Sequence, residues 1–316
     1  MITLSQRLND YLAVRCSLGS DVSYSFEQVL RRLAAFAECE GDDHITVNLL
    51  LRWKNAFGGA NNNTWCRRLS HVRGFAQWLR AQDARTEIPP SGLISSKWRR
   101  PRPYIYSDGE VAKIIACAAR LPSPNRLRGA SCSTLFGLIA VTGLRINEAL
   151  RLDDVDVDLN EGVITVKRGK HGKARFLPIA PSTMERLRAY RARRNRLLGA
   201  TIGAFFRMDD GQRLTDACAR YNFARVSQKM GLRETQRRCK HGRGPRIHDL
   251  RHTFTVRTII GWYRTGADPD REMVKLSTYL GHANPNHTYW YIDAVPELLQ
   301  LASKRAERSL AEGRNR

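Results

Sequence analysis

Residues 86–103 read TEIPPSGLISSKWRRPRP, with four prolines and no apolar period. A proline inside a helix removes a backbone hydrogen bond and collides with the preceding turn, and inside a central strand it removes a ladder bond. This stretch can therefore join regular elements but cannot itself be one, and it is read as an interdomain linker. It divides the chain into residues 1–85 and residues 104–316, and the two parts have different apolar patterns.

The first part is helical throughout. Leu4, Leu8, Tyr11 and Leu12 recur at helical spacing, as do Phe26, Val29, Leu30, Leu33 and Phe36, and then Val47, Leu50, Leu51 and Trp53. From Thr64 to Ala81 a fourth helix has Trp65, Leu69, Val72, Phe75, Trp78 and Leu79 on one side, with Arg67, Arg68, Arg73 and Arg80 elsewhere. The second part opens with Ser107-Asp-Gly-Glu110, an S-x-x-E capping box ahead of VAKIIACAARL. An apolar helix over Ser133–Val141 breaks at Thr142-Gly143 and restarts as INEALRL. The pattern then changes to two β-favouring runs, GVITVK and ARFLPI, around the turn RGKHGK, which reads as a hairpin. Helical periodicity returns at Pro181 and persists to the end. The expected fold class is mainly α, with a small β-sheet in the second of two domains.

Charge narrows the partners. The 316 residues carry 53 Lys and Arg against 30 Asp and Glu, a net +23. A soluble chain this basic is matched by nucleic acid or an anionic membrane surface. Residues 1–50 carry −3, but every later block of fifty except 251–300 is clearly positive. A membrane-surface protein more often concentrates its charge in one polybasic run beside apolar anchors. Here the basic residues are spread, as a surface around duplex DNA requires. Arg67, Arg68, Arg73, Lys97, Arg99, Arg100 and Lys173 are the candidate DNA contacts, although any single run also fits a solvated face. No stretch has the roughly 18–20 apolar residues of a transmembrane helix, and the N-terminus shows no secretory signal. A cytoplasmic location and no membrane partner are expected. Seven cysteines, with no CxxC pair, read as reduced thiols and not as a disulfide framework.

Four features of the second part carry chemistry. Arg145 follows the helix break in VTGLRINEAL, with Glu148 three residues on, a spacing that a plain surface ion pair would share. Lys170 and Lys173 sit in the hairpin turn. His248-Asp-Leu-Arg251-His252 places three basic side chains on one helix face. LGHANPNHTYWYI ends a helix at Gly281, then adds His282, an Asn-Pro turn and the cluster Tyr289, Trp290 and Tyr291. Cys239, His241, His248 and His252 also suggest a metal, but they lack the paired-ligand spacing of zinc modules, so no metal is expected.

TGLR followed by Glu, a Lys in a hairpin, H-x-L-R-H, L-G-H, and a Tyr nine residues later resemble, in order, the motifs of the tyrosine recombinases, or phage-type integrases. The resemblance covers roughly residues 105–300. It implies a two-domain clamp in which residues 1–85 are a helical core-binding domain and 104–316 the catalytic domain with a C-terminal tail. By position, Arg145, Lys170, His248, Arg251, His282 and Tyr291 match the catalytic set. The implied function is site-specific cutting and rejoining of double-stranded DNA at a core site, through a covalent 3′-phosphotyrosine, with neither metal nor ATP as cofactor. Implied partners are further copies of the chain, forming a tetramer on DNA by exchange of the C-terminal tail, and accessory proteins. An additional N-terminal arm-binding domain is not expected at this length. A type IB topoisomerase uses a very similar residue set, and a noncatalytic DNA-binding regulator would share the basic surface without needing Tyr291. Tyr289, two residues earlier on a helix, points about 200° away from Tyr291.

Overall fold

In the computed structural model the chain divides into two units, Met1–Pro101 and Arg102–Arg316. The residues described are 2–20, 22–57, 59–95, 102–167, 174–200, 202–234, 244–282, 284 and 286–314. Each unit has its own apolar core.

The first unit contains α1 (Leu4–Ser17), α2 (Tyr24–Glu40), α3 (Val47–Ala56) and α4 (Asn62–Arg80). Each begins where the sequence supplies a short polar side chain. Oxygens of Thr3, Ser23, Thr46 and Asn61 accept the backbone N–H three residues on, at 3.2, 3.3, 3.0 and 3.0 Å. Such caps are worth about 1 kcal/mol each. The core holds Leu4, Leu8, Leu30, Leu33, Trp53, Trp65, Leu69, Val72, Phe75 and Leu79. One expected core residue departs from the pattern: Leu51 is 42 % exposed, and Leu49 takes the inward position. With Leu50 and Trp53 buried, Leu49 completes a single stripe that Leu51 cannot join.

Residues 86–95 are attached to this unit as a strap. The Glu87 N–H donates to Ile45 O at 2.7 Å, and its carboxylate accepts the Val47 N–H at 2.6 Å. Arg73 Nε donates to Pro89 O at 2.8 Å, Asn62 Nδ2 to Ser95 O at 2.9 Å, and Leu93 and Ile94 pack on the core. A segment without periodicity can still be ordered when side chains satisfy its backbone groups. Residues 96–101 lie outside the described residues.

The second unit runs α5 (Asp108–Ala119), α6 (Leu127–Thr142), α7 (Ile146–Leu150), β1 (Val157–Asp158), β2 (Val163–Val166), β3 (Arg175–Pro178), α8 (Pro181–Leu198), α9 (Asp216–Lys229), α10 (His248–Thr265), α11 (Pro269–Leu280), α12 (Asn286–Ala294) and α13 (Pro296–Arg314). The strands form an antiparallel sheet in the order β1-β2-β3, with Ile164 opposite Leu177 and Val166 opposite Arg175. Ile164, Val166 and Leu177 are buried while Phe176 is exposed, the two-residue alternation of a half-buried strand. The hairpin turn at 168–173 lies outside the described residues. Helices α10–α13 enclose a separate cluster that includes Val256, Ile259, Met273, Leu276, Leu280, Tyr291 and Leu298. The start of α13 thus packs on its own unit, with Arg264 3.0 Å from Glu297 and Arg305 2.8 Å from Asp268. Among the described residues, no helix is long and apolar enough to cross a membrane.

Candidate active site

Four backbone breaks bring the basic residues together. Helix α6 stops because Gly143 takes a left-handed conformation, φ 65°, where a Cβ would lie 2.6 Å from the Phe254 ring and 3.0 Å from Leu280. Leu144 is then buried, and Arg145 precedes α7. Helix α11 stops in the same way at Gly281, φ 66°, where a Cβ would come within 2.9 Å of the Arg175 guanidinium. The third break starts α10 at His248 and the fourth starts α12 at Asn286.

The freed carbonyls at the two glycine breaks become anchors for guanidinium groups. Arg145 Nη1 donates to Leu280 O at 3.3 Å and Nη2 to Gly281 O at 2.9 Å. Arg251 Nη1 donates to Gly143 O at 2.6 Å and Nη2 to the same Leu280 O at 2.9 Å. Two cations therefore converge on one carbonyl, a costly arrangement unless an anion accompanies them.

Part of that compensation is Glu148. Its Oε1 accepts from Arg145 Nη1 at 2.8 Å, and its Oε2 accepts the Arg145 N–H at 2.9 Å. Arg175, at the first residue of β3, donates from Nη1 and Nη2 to the two Glu148 oxygens at 3.1 and 2.8 Å, and from Nε to Tyr279 O at 2.9 Å. Burial alone would raise the Glu148 carboxyl, but the hydrogen bonds and charges of Arg175 and Arg145 prevail and hold it at about 2, below its ordinary 4.5. Its folded value is depressed, so its contribution to stability is present in full above pH 4.5 and is lost as the pH falls toward 2. Glu148→Gln is expected to lower Tm at pH 7, and to show a smaller further loss than the parent protein between those pH values in thermal melts.

Arg251 is 1 % exposed. Burial, then the neighbouring Arg145, press it down to about 10, with Glu148 and Tyr291 opposing, so it remains charged at neutral pH. Its Nη2 lies 2.9 Å from His282 Nε2. A guanidinium can only donate, so His282 accepts at Nε2, and its Nδ1 carries the proton toward Thr288 Oγ1 at 2.7 Å. His248 is pushed down to about 4 by burial and then by Arg251, Arg246, Arg145 and Arg220, which keeps its imidazole neutral.

Tyr291 is 1 % exposed, whereas Tyr289 is 36 % exposed. The Tyr291 hydroxyl lies 2.6 Å from Nδ1 of His252, not against His248, whose ring centroid is 4.6 Å from that of His252. The structure thus brings together Arg145, Arg251 and His282 through direct contacts or a shared carbonyl, with His248 and Tyr291 beside them. It adds Glu148, Arg175, Thr288 and His252, which motif spacing did not single out for the catalytic set. The sequence signal for His252 was its place one turn from His248 and next to Arg251. Lys170 and Lys173 lie outside the described residues, as do Lys97, Arg99, Arg100, Cys239 and His241. Of the candidate DNA contacts in the first unit, Arg67 is exposed, Arg68 stacks 4.6 Å over the Trp65 ring, and Arg73 is tied to the Pro89 and Pro90 carbonyls.

Residues 106–297 match the sequence model of the phage integrase family. The chain is 37 % identical to the Sinorhizobium fredii protein y4rB, named as an integrase/recombinase, over 98 % of each chain. Its fold is similar to that of the XerH site-specific recombinase bound to a palindromic difH substrate, at a TM-score of 0.63 and 21 % identity, covering 89 % of this chain and 79 % of the other. It is likewise similar to a lambda integrase tetramer bound to a Holliday junction, at a TM-score of 0.62 and 16 % identity, covering 90 % and 79 %.

Proposed function

The chain belongs to the phage integrase family, and from that premise we propose that it is a site-specific DNA recombinase that cuts and rejoins duplex DNA through a 3′-phosphotyrosine on Tyr291. The observation that carries this reading is the convergence of Arg145 and Arg251 on the Leu280 carbonyl, with His282 on Arg251. Two planar, permanently charged forks at one point suit a phosphate whose non-bridging oxygens gain charge in the transition state.

Tyr291 attacks phosphorus in line, and phenolate is also a competent leaving group, so the step reverses. Because the bond energy is kept in the phosphotyrosine, rejoining needs no nucleotide hydrolysis. His282 becomes a donor to the phosphate once the bound DNA draws Arg251 off its Nε2 and that nitrogen gains a proton, Lys170 protonates the departing 5′ oxygen, and the neutral His248 orients the phosphate. The substrate is double-stranded DNA at a core site. The first unit acts as the core-binding domain through Arg67, Arg68, Arg73, Lys97, Arg99 and Arg100, and Lys173 of the second unit adds a further DNA contact. Four protomers assemble on paired sites by exchanging the C-terminal tail, whose hold at home, the surface ion pair of Arg305 with Asp268, is weak enough to be traded for a neighbour.

The test is a suicide DNA substrate carrying the cognate site, on which the protein is expected to accumulate a 3′-linked adduct that survives denaturation. Absence of any adduct on that site would refute the enzymatic reading. With a net charge of +23, the logarithm of DNA affinity is expected to fall linearly and steeply with the logarithm of salt concentration. An affinity unchanged by salt would overturn the extended DNA surface but not the active site.

A further inference from the structure

Resting on the recombinase reading, we propose that His252 is a catalytic residue, the proton acceptor for the Tyr291 hydroxyl, and that Asp249 orients it. Three groups on two helices lie next to one another. The Tyr291 hydroxyl, from α12, is 2.6 Å from His252 Nδ1, on α10. On the far side of the ring, His252 Nε2 faces Asp249 Oδ1 at 4.0 Å, one helical turn back. His252, Asp249 and Tyr291 are all buried. Asp249 is itself held in place: its Oδ2 accepts the Arg246 N–H at 2.6 Å, while its Oδ1 has no hydrogen-bond partner among the described residues. A nucleophile, a base within hydrogen-bond reach and a carboxylate behind the base form the arrangement that activates hydroxyl nucleophiles in general.

The alternative imidazole is less suited to the task. A proton arriving on His248 is disfavoured first by burial and then by the cations around it, Arg251, Arg246 and Arg145. On His252 the new charge faces the carboxylate of Asp249. The step balances as follows. The Tyr291 oxygen forms a bond to phosphorus as its proton passes to His252 Nδ1. The bond from phosphorus to the 5′ oxygen breaks, and that oxygen takes its electron pair and a proton from Lys170. Rejoining runs in reverse, with the imidazolium returning its proton to the departing phenolate. Because the hydroxyl is covered in the free chain, DNA must open the site without separating this pair.

Single-turnover adduct formation on the suicide substrate separates the outcomes, with DNA affinity and Tm measured for each variant. His252→Ala is expected to slow adduct formation by ~10²–10⁴-fold, the usual range for a general base. His252→Asn carries an oxygen where Nδ1 stood, so it can keep the hydrogen bond but cannot take the proton. It is expected to be slowed by a similar factor while binding DNA and melting as the parent does, and it remains informative if the alanine variant fails to fold. Near-parental cleavage by His252→Asn would overturn the proposal, leaving His252 a mere holder of Tyr291. Faster cleavage by His252→Ala would also overturn it, making the contact a latch. Asp249→Asn is expected to slow the same step, and an unchanged rate would remove Asp249 from the relay. An adduct formed by Tyr291→Phe would instead refute the nucleophile assignment beneath it.

Discussion

Tyr291→Phe is expected to reduce adduct formation on the suicide substrate by on the order of 10⁴-fold or more, the scale on which loss of a nucleophile acts. DNA affinity should hardly change, because Tyr291 is buried and contributes no charge to the surface. The variant also leaves His252 Nδ1 without the hydroxyl 2.6 Å away. An unmade buried hydrogen bond of this kind costs about 1–3 kcal/mol, visible as a modest drop in Tm. The comparison of the two readouts is decisive. A chemical loss this large cannot arise from that much destabilisation while the protein remains folded and DNA-bound. Tyr289→Phe, on the exposed side of α12, is the control and should cleave at the parental rate.

Arg251→Lys gives the second large effect. The charge is retained, yet one ammonium cannot reach Gly143 O, Leu280 O and His282 as the fork does at 2.6, 2.9 and 2.9 Å. Loss of a preorganised donor to a developing oxyanion costs about 10²–10³-fold in rate. Adduct formation should fall by that factor, measured at saturating DNA so that binding does not enter. Arg251→Ala should also lower Tm, because it empties a fully enclosed volume and removes the donor 2.6 Å from the Gly143 carbonyl, while Leu280 O keeps Arg145 Nη1 at 3.3 Å. A lysine variant that cleaves at the parental rate would show that Arg251 serves folding alone.

Much of the site was legible in the chain because its motifs are local. Thr-Gly-Leu-Arg works within four residues: Gly143 turns the backbone, Leu144 anchors it and Arg145 projects. The spacing of His248, Arg251 and His252 already implies one helix face. The hairpin could be read from the change of period between Val163 and Pro178, and Ile164, Val166 and Leu177 do face inward. Strand β1 was not read, since two residues carry no period. Nor was the strap at 86–95, because its order comes from side chains of other segments, Arg73, Cys66 and Asn62, and not from any pattern of its own.

The sequence by itself determined the helical character of both parts, the β2–β3 hairpin, the basic charge and the ordered set of Arg, His and Tyr, because each depends on residue type and short-range spacing. Only the tertiary structure decided which groups meet. Arg145 and Arg251 share a carbonyl 29 residues beyond the second of them, Arg175 reaches back across 27 residues to clasp Glu148, and His252 rather than His248 lies against Tyr291. Those pairings are set by how α6, α10, α11, α12 and β3 pack. Spacing along one helix gives directions, but a hydrogen bond depends on distance between atoms carried by different elements.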